Sequence, residues 1–169
     1  MGIYALLAEA LRYPAPGRIE QLEAGLLEMP NGATKRTFAK FVQNVQSLSL
    51  TAWEELYTHT LDLNPRTAPY VAYQIWGDSY KRGTFMARLN RQMQILNIEK
   101  DGELPDHLVP MLRYLYVIAA RDSAPPNDLV EIFEPGIEKM RKVLRKEESD
   151  NPYLYLFEAI LHSSQLERH

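Results

Sequence analysis

Apolar residues recur at helical spacing along almost the whole chain. Residues three and four apart share one face of a helix, so such a stripe predicts an amphipathic helix with that face turned to a core. Ile3, Leu6, Leu7, Ala10 and Leu11 form the first stripe, ended by Tyr13-Pro14-Ala15-Pro16-Gly17. Ile19, Leu22 and Leu26 mark a short second helix that stops near Pro30-Asn31-Gly32. Phe38, Phe41, Val42, Val45 and Leu48 make a third stripe. Trp53, Leu56, Tyr57 and Leu61 make a fourth, stopped by Asn64-Pro65, and a short piece from Pro69 to Trp76 ends at Gly77.

Asp78-Ser79 then offers a cap for a long basic helix. Phe85, Leu89, Met93 and Leu96 lie on one side of it, and Lys81, Arg82, Arg88 and Arg91 on the other. Asp101-Gly102 breaks the chain before Leu108, Met111, Leu112, Leu115 and Ala119 resume the helical period. After Ala124-Pro125-Pro126, Asn127 is a plausible cap for the stripe Leu129, Ile132, Phe133, Ile137, Met140 and Leu144. Pro135 falls inside that stripe and is expected to kink or divide it. Tyr153, Leu156, Phe157, Ile160 and Leu161 form the last stripe. No segment has the strict alternation of a sheet strand. The pattern predicts an all-α chain, a single-domain helical bundle over residues 1–169. The charge run at 139–148 reads as a solvated helix end.

Composition narrows the function classes. At 169 residues the chain can bury about 70% of its unfolded surface in one domain. It has no cysteine, which removes disulfides, thiolate zinc sites and thiol nucleophiles together. A net charge of -3 and a pI of about 5.8 disfavour nucleic acid as a partner. Met1 to Leu11 contains Glu9 and no basic stretch, unlike a secretory signal. No apolar run approaches the ~20 residues that span a bilayer. The expectation is a cytoplasmic protein without direct membrane insertion.

The densest chemistry lies in Glu103-Leu104-Pro105-Asp106-His107-Leu108. Pro105 disfavours helix at Leu104, and Pro110 suits a first helical turn. A tight turn at Asp106-His107, with the helix starting close to Pro110, follows. Asp106 then sits at a positive helix terminus, worth about 0.3–1 kcal/mol. His107 is a candidate for a hydrogen bond that titrates between pH 5 and 8. Three Glu/His pairs occur at i,i+4: Glu55/His59, Glu103/His107 and Glu158/His162. Di-metal bundles use i,i+3 spacing with further glutamates, so these pairs predict surface contacts and no metal. There is no Gly-x-Ser-x-Gly elbow and no glycine-rich phosphate loop. From these residues alone, the motif reads equally as a docking edge or as a cap beside a satisfied loop histidine.

The order of motifs adds a second line. Leu11-Arg12-Tyr13-Pro14, Tyr57, Leu61-Asp62, Pro69-Tyr70, Gly77-Asp78-Ser79-Tyr80-Lys81-Arg82-Gly83, the Glu103–Leu108 string and Tyr155-Leu156-Phe157 span nearly the whole chain. Together they resemble the NarJ assembly chaperones of respiratory nitrate reductase, within the TorD/DmsD family of molybdoenzyme chaperones. Leu61 stands where that family often has phenylalanine. The resemblance implies an all-helical bundle without catalytic activity and without a resident cofactor. It implies binding to the N-terminal segment of the immature catalytic (molybdenum) subunit, which is held ready for cofactor insertion before it docks at the membrane. A related molybdoenzyme of the DMSO or TMAO reductase type is an alternative client, and the chaperone itself would be a monomer or weak dimer. The competing class is a small helical hydrolase using Asp106 and His107 as an acid/base pair.

A client segment can bind as an amphipathic helix or extended peptide in an apolar groove. Tyr70, Tyr73 and Trp76 are the expected aromatic contacts. Asp78, Glu103 and Asp106 are expected to meet basic client side chains, with Arg82 orienting one of these acids by a bidentate pair. Pro105 and His107 complete the expected edge, with pH-dependent binding through His107.

Overall fold

The last stripe is apolar on most of its sides and is buried accordingly. The computed structural model describes residues 2–164 and Leu166. In it α9 (Tyr153–Ser163) buries Tyr153, Leu154, Leu156, Phe157, Ala159 and Ile160. A helix apolar on most sides needs neighbours on most sides, and α9 packs against α3 (Ala33–Gln46), α8 (Asn127–Glu147) and α1 (Ile3–Ala10). α1 also packs on α7 (Leu108–Ala120), and α2 (Arg18–Glu28) on α3. Phe38 and Phe41 from α3 and Tyr153 from α9 join Trp53 of α4 (Leu50–Tyr57) in this core. The Trp53 indole N–H donates to Tyr153 Oη at 3.1 Å, so both polar tips are satisfied where water is excluded.

The remaining elements form one side of the bundle. α4 runs into a single π turn at Thr58–Asp62, closed by Leu63 N–H donating to Thr58 O at 2.9 Å. The buried Thr60 at this turn is held by Thr67 Oγ1 and by Asn151 Nδ2. π turns break the regular ladder and occur often at functional sites; here the turn leaves Leu61 buried and Leu63 exposed. α5 (Val71–Trp76) lies on α8, and α6 (Tyr80–Ile95) follows through Gly77, whose φ of 63° favours glycine. Ser79 caps α6 by accepting from Arg82 N–H at 3.3 Å, as expected for a serine in that place.

Four local expectations change. α7 begins at Leu108 with Pro110 inside its first turn, as expected, but its cap is His107 rather than Asp106. α8 is not divided at Pro135 but runs unbroken from Asn127 to Glu147; the cap position is Pro126, with Asn127 already helical. The i,i+4 Glu/His contacts are not formed among the described residues. His59 pairs with Glu148 at 2.9 Å, and Glu158 with Arg141 and Arg145, so each finds its partner on a neighbouring element. Finally, an isolated antiparallel bridge joins Tyr70 to His107. Val71 N–H donates to Asp106 O and Leu108 N–H to Pro69 O, each at 2.9 Å. These two bonds fasten the entry of α5 to the entry of α7, and they place the functional residues. Among the described residues no helix is long and apolar enough to cross a membrane.

Candidate functional site

The bridge brings residues from three elements together. Asp106 is fully buried, and its carboxylate takes Arg82 Nε at 3.0 Å and Arg82 Nη2 at 3.2 Å. Tyr73 N–H, in the first turn of α5, donates to the same carboxylate at 3.2 Å. The Arg82 guanidinium lies 5.3 Å from the centre of the Tyr73 ring. A forked guanidinium, a backbone donor and an aromatic face together fix this carboxylate in one geometry.

His107 is 3% exposed, and its Nδ1 accepts the Val109 N–H at 3.0 Å, capping α7. An accepting Nδ1 places the ring proton of the neutral imidazole on Nε2. Burial pushes the imidazole down to about 4, although Asp106 and Asp101 pull the other way. The ring is therefore neutral across pH 5–8, and the expected titration in that interval is corrected: an exposed loop histidine would titrate there, and this one is buried. The Tyr70 ring meets His107 edge-on at 5.1 Å, and its hydroxyl donates to Glu103. Burial and the neighbouring Glu103 carboxylate raise the Tyr70 phenol above its ordinary value.

Above this layer lies an open groove of about 450 Å³, lined by Leu63, Ala68, Tyr70, Tyr73, Arg82 and Leu104, with Asp62 at its border. Leu63 is 73% exposed, Leu104 48% and Tyr73 36%. Leu63 also lines a neighbouring cleft with Tyr13, Glu54 and Glu55. Tyr13 in turn lines a more enclosed cavity of about 340 Å³ with Tyr57, Glu103 and His107. Arg12 and Asp101 also line that cavity and belong to a charge network in which Asp101 takes Arg12 and Arg113, each at 3.0 Å, and Glu9 takes Arg12 at 3.2 Å. Burial acts against the Asp101 anion, but the two guanidiniums hold its carboxyl below the usual range. Among the described residues no group of three His, Asp or Glu side chains is placed to hold a metal ion.

The expected site residues separate into three positions. Tyr70, Tyr73 and Arg82 line the groove, and Glu103 faces the adjoining cavity. Pro105, Asp106 and His107 are buried beneath. Asp106 is the carboxylate that Arg82 orients, so it supports the groove from below and presents no charge to a client. Asp106 and His107 bond to different partners, not to each other, so they do not form an acid/base pair. Trp76 lies off the groove: its ring packs edge-on against Phe85 at 5.4 Å, with Lys81 Nζ 4.9 Å from its centre. Asp78 is exposed just before α6. Among the groove residues that the helical stripes did not single out are the exposed Leu63 and Leu104. Both are apolar residues in non-helical segments close to a proline, where no stripe accounts for them.

No curated protein is a significant match to the chain. A family model described as nitrate reductase delta subunit matches residues 26–158, a span that contains the groove, the bridge and the buried Arg82–Asp106 pair. The match covers well over half of the sequence and agrees with the all-helical architecture, so the chain belongs to the nitrate reductase delta subunit family, the NarJ-type chaperones of nitrate reductase assembly.

Proposed function

We propose that this chain binds the N-terminal segment of the catalytic subunit of respiratory nitrate reductase before that subunit is complete. It keeps the subunit open to molybdenum cofactor insertion, and it delays docking at the membrane until assembly is done. The cofactor belongs to the client, and the chaperone acts in the cytoplasm as a binding protein. The observation that carries this reading is the groove between the π turn, α5 and the 103–107 segment. It combines exposed Leu63, Leu104 and Tyr73 with the carboxylate of Asp62 and, next to it, Glu103. Such a surface suits an amphipathic segment with apolar side chains on one edge and basic ones on the other. The rigid base below it favours binding, because the groove needs little ordering when the client arrives.

Calorimetry tests the reading with a synthetic peptide of the client's first ~20 residues, which as a helix would span about 30 Å. Leu63→Ser combined with Leu104→Ser removes two exposed apolar contacts without touching the core. Burying a leucine is worth about 1.5–3 kcal/mol when complete, so partial burial of two predicts at least about tenfold weaker binding. Unchanged affinity in the folded double variant would sink the groove as the binding site.

A further inference from the structure

The narrower, half-open cavity beside the groove has a polar complement of its own. Glu103 has no cationic partner among the described residues; it accepts only the Tyr70 hydroxyl. Two donors face the same space. Tyr57 lines it and makes no hydrogen bond to a described residue. Its phenol is pushed up to about 12 by burial and then by the Glu103, Asp62 and Asp101 carboxylates, so it keeps its proton. His107 also lines it; with Nδ1 committed to the cap, the Nε2–H is the ring donor left over. Tyr13 and Tyr57, edge-on at 5.1 Å, add aromatic faces on which a cation is favourable.

Arg12 and Asp101 also line the cavity but are paired with each other at 3.0 Å, which leaves one free carboxylate beside two neutral donors, and the complement of that set is a cation directly next to an acceptor. A lysine ammonium or an arginine guanidinium has donors only and leaves the two donors unanswered. A free chain terminus has both parts within one residue: an α-ammonium and the first peptide carbonyl. We propose that this cavity captures the free α-amino terminus of the client, with the ammonium against Glu103 and the tyrosine faces and the first carbonyl on Tyr57 Oη–H and His107 Nε2–H. The proposal rests on the client reading above and specifies which part of the client sits where. At about 340 Å³ the cavity accepts a terminal residue but not a helix, which is about 10–12 Å across. The following residues can pass by Tyr13 and Leu63, which link the cavity to the cleft and the cleft to the groove. Tyr13, on one wall, lies outside the family match, so this wall is a feature of the chain beyond the matched span.

The test compares two synthetic peptides of the client's first residues, identical except that one is N-acetylated, by calorimetry against the full chain. Acetylation removes the positive charge and favours helix in the free peptide, so a loss of affinity runs against its effect on peptide folding. The expected result is at least about tenfold weaker binding of the acetylated peptide. Glu103→Gln, checked for fold by circular dichroism, should bind both peptides alike, and Tyr57→Phe should narrow the difference while keeping the ring. Equal affinities in the unaltered chain overturn the terminus proposal and leave the client reading standing. So does a Glu103→Gln variant that keeps the full preference for the free amine. If neither peptide binds, the client reading falls, and this proposal with it.

Discussion

Burying a carboxylate away from water costs several kcal/mol unless partners restore what hydration supplied. Asp106 has those partners in Arg82 and the Tyr73 N–H, and removing one member of such a pair typically costs about 3–5 kcal/mol. Arg82 thus acts on the groove by holding α5 and α6 to the 103–107 segment. His107 gives a sharper prediction. Its folded value of about 4 lies below the ordinary 6.5, so the unfolded chain binds the extra proton first. His107 therefore contributes stability that is fully present above pH 6.5 and is lost as pH falls toward 4. The window is about 2.5 units at about 1.4 kcal/mol per unit, or about 3 kcal/mol. His107→Asn keeps a good capping side chain and removes the titration. Urea melts at pH 7 and pH 4.5 should show a smaller acid loss in the variant than in the parent; equal losses would contradict the buried neutral imidazole. Sequence placed the chemistry in this string and foresaw a forked Arg82–acid pair. It did not reveal that the acid is Asp106 or that it is fully buried, because the partners lie 24 residues apart and meet only through the bridge.

The helices were legible because their apolar stripes are regular, and at Ser79 because the cap is conventional. What escaped was the meeting of elements. The Tyr70–His107 bridge involves too few extended residues to leave an alternation in sequence, yet its two backbone bonds align α5 with α7. Pro135 was expected to kink or divide α8; the helix is not divided, and Gly136 beside it explains a constraint on the site. A Cβ built there would lie 2.7 Å from Val71 Cγ1 and 3.0 Å from Val71 O, so α5 rests on α8 with no room for a methyl group. Alanine would add about 1 kcal/mol of helix propensity. Overpacking against backbone costs about 1–3 kcal/mol and also displaces α5. Gly136→Ala should therefore lower stability in a urea melt and weaken binding of the client peptide through Tyr70 and Tyr73. A gain of about 1 kcal/mol would mean that propensity outweighs packing and that α5 is not so tightly held.

At the scale of the whole molecule, the bundle divides its labour. α9 with α1, α3 and α8 supplies the core, while the π turn, α5, α6 and the entry to α7 form a surface of exposed leucines and tyrosines over a buried ion pair. The family match gives an assembly chaperone of nitrate reductase, and the proposed client site is this surface. The resemblance of the motifs had already indicated the family, whereas the groove depended on which apolar residues the fold leaves outside its core. The most direct measurement is hydrogen–deuterium exchange on the chain with and without the N-terminal peptide of the catalytic subunit. The account predicts added protection at residues 57–76 and 101–109, around the groove and cavity, with little change in α2 and α3. Protection on the α2–α3 side with the groove segments unaltered would contradict it.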